Sequence, residues 1–214
     1  MSKKIKEIIV YIIGMAVLGL GLCLSTKLSL GTSALVALPF SISSIYNLNF
    51  GNITLIYYII FIIIQIIIHL IMKKYTSIIG DISQIIVSLI LTRYLNLLSN
   101  LIPIFNEYNI IIRVLLYLIP IVLVGIGVAL IVKTKYPPNP SNGVIKTLAE
   151  FSKKDVGLIK NIMDITLVII TCIFSYIVCG KIIGVGIGTV MAMIGVGRVI
   201  YYFDKIVGKK ISFK

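Results

Sequence analysis

KTKYPPNPSNGVIKTLAEFSKKD, Lys133 to Asp155, is the longest polar interval in a chain that is otherwise almost continuously apolar. It holds a Pro-Pro-Asn-Pro run, passes through the turn Pro140-Ser141-Asn142-Gly143 and continues as a short amphipathic segment. On each side lies an apolar run long enough to cross a bilayer, which takes about 20 residues of helix. The stretch therefore reads first as the connection between two hydrophobic halves.

The rest of the composition agrees. Of 214 residues, 59% are hydrophobic and 13% are charged. Soluble domains are about 45–50% apolar and about 25% charged. The expected solvent is a lipid bilayer, and the expected organisation is a single polytopic membrane domain over 1–214. The net charge is +13, but the lysines cluster at the ends of apolar runs and form no stripe with aromatic platforms. That is the topology signal of a membrane protein rather than the footprint of a nucleic-acid binder. Cys23, Cys172 and Cys179 all lie inside apolar runs without a Cys-x-x-Cys pattern, so no disulfide, metal or cofactor is expected. His69 has no His or Cys partner nearby and precedes Lys73-Lys74, which reads as an interfacial residue. Glu7 and Asp204 read the same way. There is no His-Glu-x-x-His and no serine with a nearby base, so no enzyme and no catalytic residue is expected.

Six runs are long enough to span, at about 8–26, 52–72, 78–98, 111–132, 158–179 and 182–203. The first follows Lys3, Lys4 and Lys6 and exceeds the roughly 7–15 residues of a signal-peptide core, so it reads as an uncleaved span. A weaker run, 33–45, is interrupted by Pro39 and three serines. It suits a re-entrant or interfacial helix, as does 139–151. With 33–45 left non-spanning, Lys73 and Lys74, the lysines of 133–155 and Lys205, Lys209, Lys210 and Lys214 all fall on the side of the N-terminus. Positive charge then places both termini in the cytoplasm.

The chain also matches itself at an offset of 106 (125 − 19). Gly19 meets Gly125, Gly21 meets Gly127, Lys27 meets Lys133, Gly51 meets Gly157 and Gly80 meets Gly186. Three spans per half is an odd number, so halves of about 1–105 and 106–214 would have opposite orientations. The expected fold is thus all-α: six transmembrane helices plus two short re-entrant or interfacial ones, arranged as an inverted repeat. The Lys133–Asp155 stretch then becomes the counterpart of Lys27–Asn49, entered from the other side.

These residues carry a resemblance. Gly19-Leu-Gly21 leading to Lys27-Leu-Ser-Leu-Gly31, Pro140-Ser141-Asn142-Gly143, Gly157 with Lys160 and Asp164, and Gly184-Val-Gly186-Ile-Gly188-Thr189 are similar to the YczE/YyaS/YitT-type bacterial integral membrane proteins. In that family Pro-Arg-Asp-Gly more often stands in place of Pro-Ser-Asn-Gly, and an Arg and a Glu in place of Lys160 and Asp164. The resemblance implies a multi-span bacterial inner-membrane protein and delivers no substrate. The abundance of Ile, Lys, Asn and Tyr also suits an AT-rich bacterial genome.

The candidate site follows from polar residues placed where lipid would penalise them. Lys160 and Asp164 share a helix face, with Asn161 beside them. A lone Asp inside a span costs about 2.5–3.5 kcal/mol on insertion scales, so the pair reads either as a solute or ion pathway or as a structural anchor. Asn139, Ser141, Asn142 and Gly143 form a helix start with Ser141 or Asn142 placed to accept backbone amides. It either lies on the membrane surface or points its positive end at a site between the halves. Gly184, Gly186 and Gly188 with Thr189 either unwind a helix start or allow close packing. No strand precedes them and no Walker lysine follows, which sets nucleotide binding aside. Three functions stay open: a transporter-like protein handling a small solute or ion between its halves, a membrane scaffold engaging another membrane protein or a second copy, and a substrate-binding subunit of an energy-coupled vitamin transporter.

Overall fold

The computed structural model describes residues 2–208. The lysines at 209, 210 and 214 lie outside that range. Within it the chain is helical and contains no strand. The helices are α1 (Lys3–Lys27), α2 (Ala34–Ile45), α3 (Phe50–Ile71), α4 (Tyr75–Leu101), α5 (Ile110–Leu116), α6 (Leu118–Lys133), α7 (Pro140–Ser152), α8 (Val156–Cys179) and α9 (Ile187–Phe203). The last runs into a π-helical turn at Asp204–Gly208.

α5 and α6 are one apolar run bent at Tyr117. Pro120 accounts for the bend, because it has no N–H to give and its ring crowds the carbonyl of Leu116. Counting that run once, five helices are long and apolar enough to cross a bilayer: α1, α3, α4, α5–α6 and α8. The sixth expected run behaves differently. Its helix begins only at Ile187, because Gly184 takes a φ of +85° and Gly186 is fully extended. The 17 residues of α9 are about 26 Å long at 1.5 Å per residue, short of a hydrocarbon core of roughly 30 Å.

The outward faces are as apolar as the inward ones. On α3, Ile56, Ile59, Ile60, Ile63 and Ile67 are exposed, while Tyr58, Phe61, Ile62 and Gln65 turn inward and are buried. A helix that is apolar all round is built for lipid or for a core, and none of the described residues covers the outer side of this one. The build is that of a membrane protein.

α1 and α6 pack against each other at the centre, and glycines set how closely they approach. A Cβ on Gly127 would stand 2.6 Å from the backbone nitrogen of Leu18, and one on Gly21 would stand 2.8 Å from that of Val124. The partner glycines look elsewhere. Gly19 faces Leu91 and Tyr94 of α4, and Gly125 faces Val196 and Val199 of α9. In each Gly-x-Gly, one glycine admits the central partner and the other admits a flanking helix. Lys27 Nζ donates to the Ser99 carbonyl at 2.7 Å, so α1 and α4 run in the same direction. Lys133 pairs with Asp204, so α6 and α9 do too. α6 runs against α1, with Glu7 at the start of one accepting the amide of Lys135 just past the end of the other at 2.7 Å. Glu7, expected at the interface, is buried by that contact.

The element boundaries recur at one spacing. α2 and α7 start 106 residues apart (140 − 34), as do α3 and α8 (156 − 50), and α1 and α6 end 106 apart (133 − 27). Two hydrogen bonds share this spacing. Tyr11 Oη donates to the Pro137 carbonyl at 2.8 Å, and Tyr117 Oη donates to the Gly31 carbonyl at 3.0 Å. Each tyrosine pins the loop that leads into a short helix of the other half of the sequence. The short helices then pack crosswise, α7 on α3 and α2 on α8.

Candidate functional site

α7 begins where proline belongs, with Pro140 in the first turn and Asn139 as the flanking residue. The Asn139 carbonyl accepts the amides of Asn142 and Gly143, each at 3.0 Å. Asn142 Nδ2 donates to Asn139 Oδ1 at 2.6 Å. Ser141 and Asn142 therefore do not cap the helix as the sequence led one to expect. The helix starts one residue ahead of them, which puts both inside its first turn.

This start is buried deep against α3 and α4. Behind it, Gln65 and Gln84 bond each other through both amides, at 2.9 and 3.2 Å. Gln65 Nε2 also reaches the Pro140 carbonyl at 3.5 Å. Gly143 lies on this pair: a Cβ there would be 2.5 Å from Gln65 Oε1 and 2.8 Å from Gln84 Oε1. Gln65 is six residues short of the end of α3, about 9 Å along the helix. The other end of α7 sits at that outer level, where Glu150 pairs with Lys74 in the α3–α4 turn. That hydrogen bond, above all, holds the Glu150 carboxyl below its ordinary value. α7 therefore slants inward, with its amino end innermost.

A cavity of about 520 Å³ lies in front of that end. Asn139, Ser141 and Asn142 line it from α7, and Lys160 and Asp164 line it from α8. Ser33 and Ala34, at the start of α2, line it as well. Two helix starts from opposite halves of the sequence thus meet one cavity, and each brings its positive dipole end. Leu18, Val124 and Val196 supply part of an apolar wall.

Lys160 Nζ pairs with Asp164 Oδ2. Asp164 is 2% exposed, and its second oxygen has no hydrogen-bond partner among the described residues. Ser141 Oγ and the Tyr58 hydroxyl are also buried, and among the described residues neither makes a close hydrogen bond. Tyr58 stands next to Ser141 and Asn139 and lines the same cavity. Sequence reasoning did not single out Tyr58, one of 12 tyrosines. One signal was available: Tyr58 is 106 residues before Asp164 (164 − 58).

Other expected residues lie elsewhere. Asn161 is exposed and does not line the cavity. Gly184 and Gly186 line a second pocket of about 410 Å³ with Thr26, Ser29 and Phe40, at the end of the molecule where α1 stops. There Thr32 N–H donates to the Gly184 carbonyl at 3.0 Å, and Gly188 N–H donates to that of Leu30 at 2.8 Å. A Cβ on Gly188 would strike the Tyr117 ring. Thr189 Oγ1 accepts the Gly186 amide at 3.1 Å. The glycine run thus does both things the sequence left open: it unwinds the helix start and it permits close packing. His69 departs from expectation. It is buried, and its Nδ1 lies 2.6 Å from Asp81 Oδ2 across the α3–α4 turn. Among the described residues, no group of three His, Cys, Asp or Glu is placed to hold a metal ion.

Residues 5–205 match the model of DUF6198, a family of unknown function. The chain belongs to that family. The DUF6198 match runs from α1 into the π-helical turn and so includes both short helices and the whole cavity. No curated protein and no solved structure matches the chain.

Proposed function

We propose that this protein binds a small solute in the cavity between its two halves and carries it across a bacterial cytoplasmic membrane. One observation carries the reading: the amino ends of α2 and α7 line the same cavity as the buried Asp164 and its partner Lys160. Opposed helix starts at mid-depth, with ionisable groups between them, are how inverted-repeat transporters hold solutes. An ionisable group buried in a membrane protein usually marks a pathway and not a scaffold.

In this proposal the halves, about 1–105 and 106–214, form one polytopic domain of six spans, with α9 as the short sixth. The 106-residue spacing of helix boundaries and of the two tyrosine bonds supports the repeat. The opposed directions of α1 and α6 support its inversion. α2 and α7 are the re-entrant helices, α7 entering from the cytoplasm and α2 from outside. The positive-inside rule places both termini in the cytoplasm. The YczE/YyaS/YitT-type resemblance belongs to the same reading, as does binding without catalysis.

The test uses purified protein in liposomes and a broad panel of small solutes. Some member of the panel is expected to raise the unfolding temperature or to cross the membrane, and Asp164→Asn is expected to weaken that response. A flat response across the panel would sink the proposal. Labelling of single cysteines at positions 47 and 142 in intact cells, with the native cysteines removed, tests the orientation.

A further inference from the structure

Tyr58 and Asp164 hold matching positions, 106 residues apart, on α3 and α8. Both are buried, both line the cavity, and among the described residues each has a polar atom that makes no close hydrogen bond. The two atoms are chemically opposite. The Tyr58 hydroxyl has a proton to donate, and Ser141 Oγ, 1% exposed, stands beside it with a hydroxyl proton of its own. Asp164 Oδ1 belongs to a carboxylate whose other oxygen is already held by Lys160, and it can only accept. The cavity thus offers a cluster of hydroxyl donors at Tyr58 and Ser141 and, on α8, a carboxylate oxygen with no hydrogen-bond partner among the described residues.

From this juxtaposition we infer that the cavity takes a small zwitterion with an apolar body. A carboxylate sits at Tyr58 and Ser141, and an ammonium group sits at Asp164 Oδ1. The inference rests on the solute-binding reading above and names the class of solute.

The combination of hydroxyl donors with a free carboxylate oxygen, rather than net charge, supports it over either single-charged alternative. Lys160 and Lys146 both line the cavity, and the α2 and α7 starts add partial positive charge. A bare cation would meet that field with only Asp164 in its favour. A bare anion would satisfy the hydroxyls and leave Asp164 Oδ1 facing a second carboxylate. A zwitterion answers both the hydroxyls and the carboxylate oxygen. The remaining wall is aliphatic. Leu18 and Leu22 come from α1, Val124 and Val128 from α6, and Val196 from α9. The body of the solute is therefore apolar, and about 520 Å³ is within the usual range for small-molecule sites. An aliphatic amino acid has this combination of head and body.

Three probes with a matched branched body isolate the head group: leucine, 4-methylpentanoate and 3-methylbutylamine. Binding to the full chain in nanodiscs is followed by calorimetry. Leucine is expected to bind at least roughly tenfold more tightly than either single-headed probe, since each lost charged hydrogen bond is worth roughly 10- to 100-fold. Tyr58→Phe and Asp164→Asn should each weaken leucine by a similar factor. Tyr58→Phe removes one unpartnered oxygen, so it keeps the test open where Asp164→Asn fails to fold.

Equal binding of all three probes would overturn the inference, as would leucine binding indifferent to both substitutions. A preference for the acid alone, or for the amine alone, also overturns it. So does silence with all three. In that last case, a different solute whose binding needs Asp164 would leave the cavity reading standing, and only an inert panel would remove both.

Discussion

The wall of the cavity around Tyr58 and the wall around Asp164 make an instructive pair. Each is a long helix crossed by a short one, α3 by α7 and α8 by α2, with boundaries 106 residues apart. The surroundings differ at almost every polar position. Lys160 has Thr54 as its counterpart, and Thr54 uses its hydroxyl on its own helix, at the Phe50 carbonyl 2.7 Å away. The glutamine that backs the start of α7, Gln65, matches Thr171, which likewise bonds within its helix, to Leu167. Gly143, which lets α7 settle on the glutamines, matches Ala37. The frame is therefore common to both walls, while charge was placed on one and an amide pair on the other. A backbone arrangement that pairs every main-chain group internally tolerates such divergence, because side chains do not hold the helices up by hydrogen bonds alone.

Breaking the charged wall should have the largest effect. Lys160→Met leaves Asp164 buried without its partner, and loss of one member of a buried pair costs about 3–5 kcal/mol. Denaturant unfolding in detergent should show that loss, and the double variant with Asp164→Leu should recover most of it. The matching change, Thr54→Val, is expected to cost about 1 kcal/mol. Equal costs would mean that the two walls are energetically alike.

Next comes the fit of α7 on its glutamines. Gly143→Ala forces a methyl group onto Gln65 Oε1 and Gln84 Oε1, at an expected cost of about 1–3 kcal/mol. Gly80→Ala is the control. A Cβ there meets nothing within 4 Å, and alanine in a helix should gain about 0.5–1 kcal/mol. If both changes are harmless, the glutamine pair yields freely and the polar backing of α7 has no structural weight.

Tyr58→Phe is expected to change stability by less than about 1 kcal/mol, because the hydroxyl has no partner to lose. Its effect should appear in solute binding instead. A large loss of stability would mean that its contacts with Ser141 and Asn139 hold the start of α7 in place.

The smallest effect belongs to the outer end of α7. Glu150 is held below its ordinary value of 4.5 by Lys74, so its contribution is present above that value. It is lost as pH falls through the lower, folded value. Because both side chains are largely open to solvent, the contribution should be a few tenths of a kcal/mol. Unfolding midpoints of wild type and Glu150→Gln should differ slightly at pH 7 and converge in acid or in high salt. The counterpart in α2 is Ser44, so the opposite end should show no such titration.

Most of the helical frame was legible in the sequence because a bilayer imposes length. The apolar runs and the two short helices emerge within a few residues of their observed limits. The start of α9 was legible only as an alternative, since hydropathy begins the run at 182 and the glycines left unwinding and close packing both open. In the cavity, Lys160, Asp164, Asn139, Ser141 and Asn142 stood out because polar residues are conspicuous in so apolar a chain. Tyr58 did not, because a tyrosine in an isoleucine-rich run reads as core until its hydroxyl is found facing a cavity. The His69–Asp81 pair was hidden for another reason. Its two members face each other only through the register of α3 against α4, and that register is set by packing along the whole interface.

The tyrosine bonds bear on how the protein is made. Gly31 leaves the ribosome 86 residues before Tyr117, the donor that pins its carbonyl. At about 5–20 residues per second, the loop into α2 waits roughly 4–17 s for its anchor. The reciprocal loop waits for nothing, since Tyr11 is already inserted when Pro137 appears. The first half is thus completed by the second, and a chain stopped before α6 would leave the membrane with an unfastened α2 and no cavity.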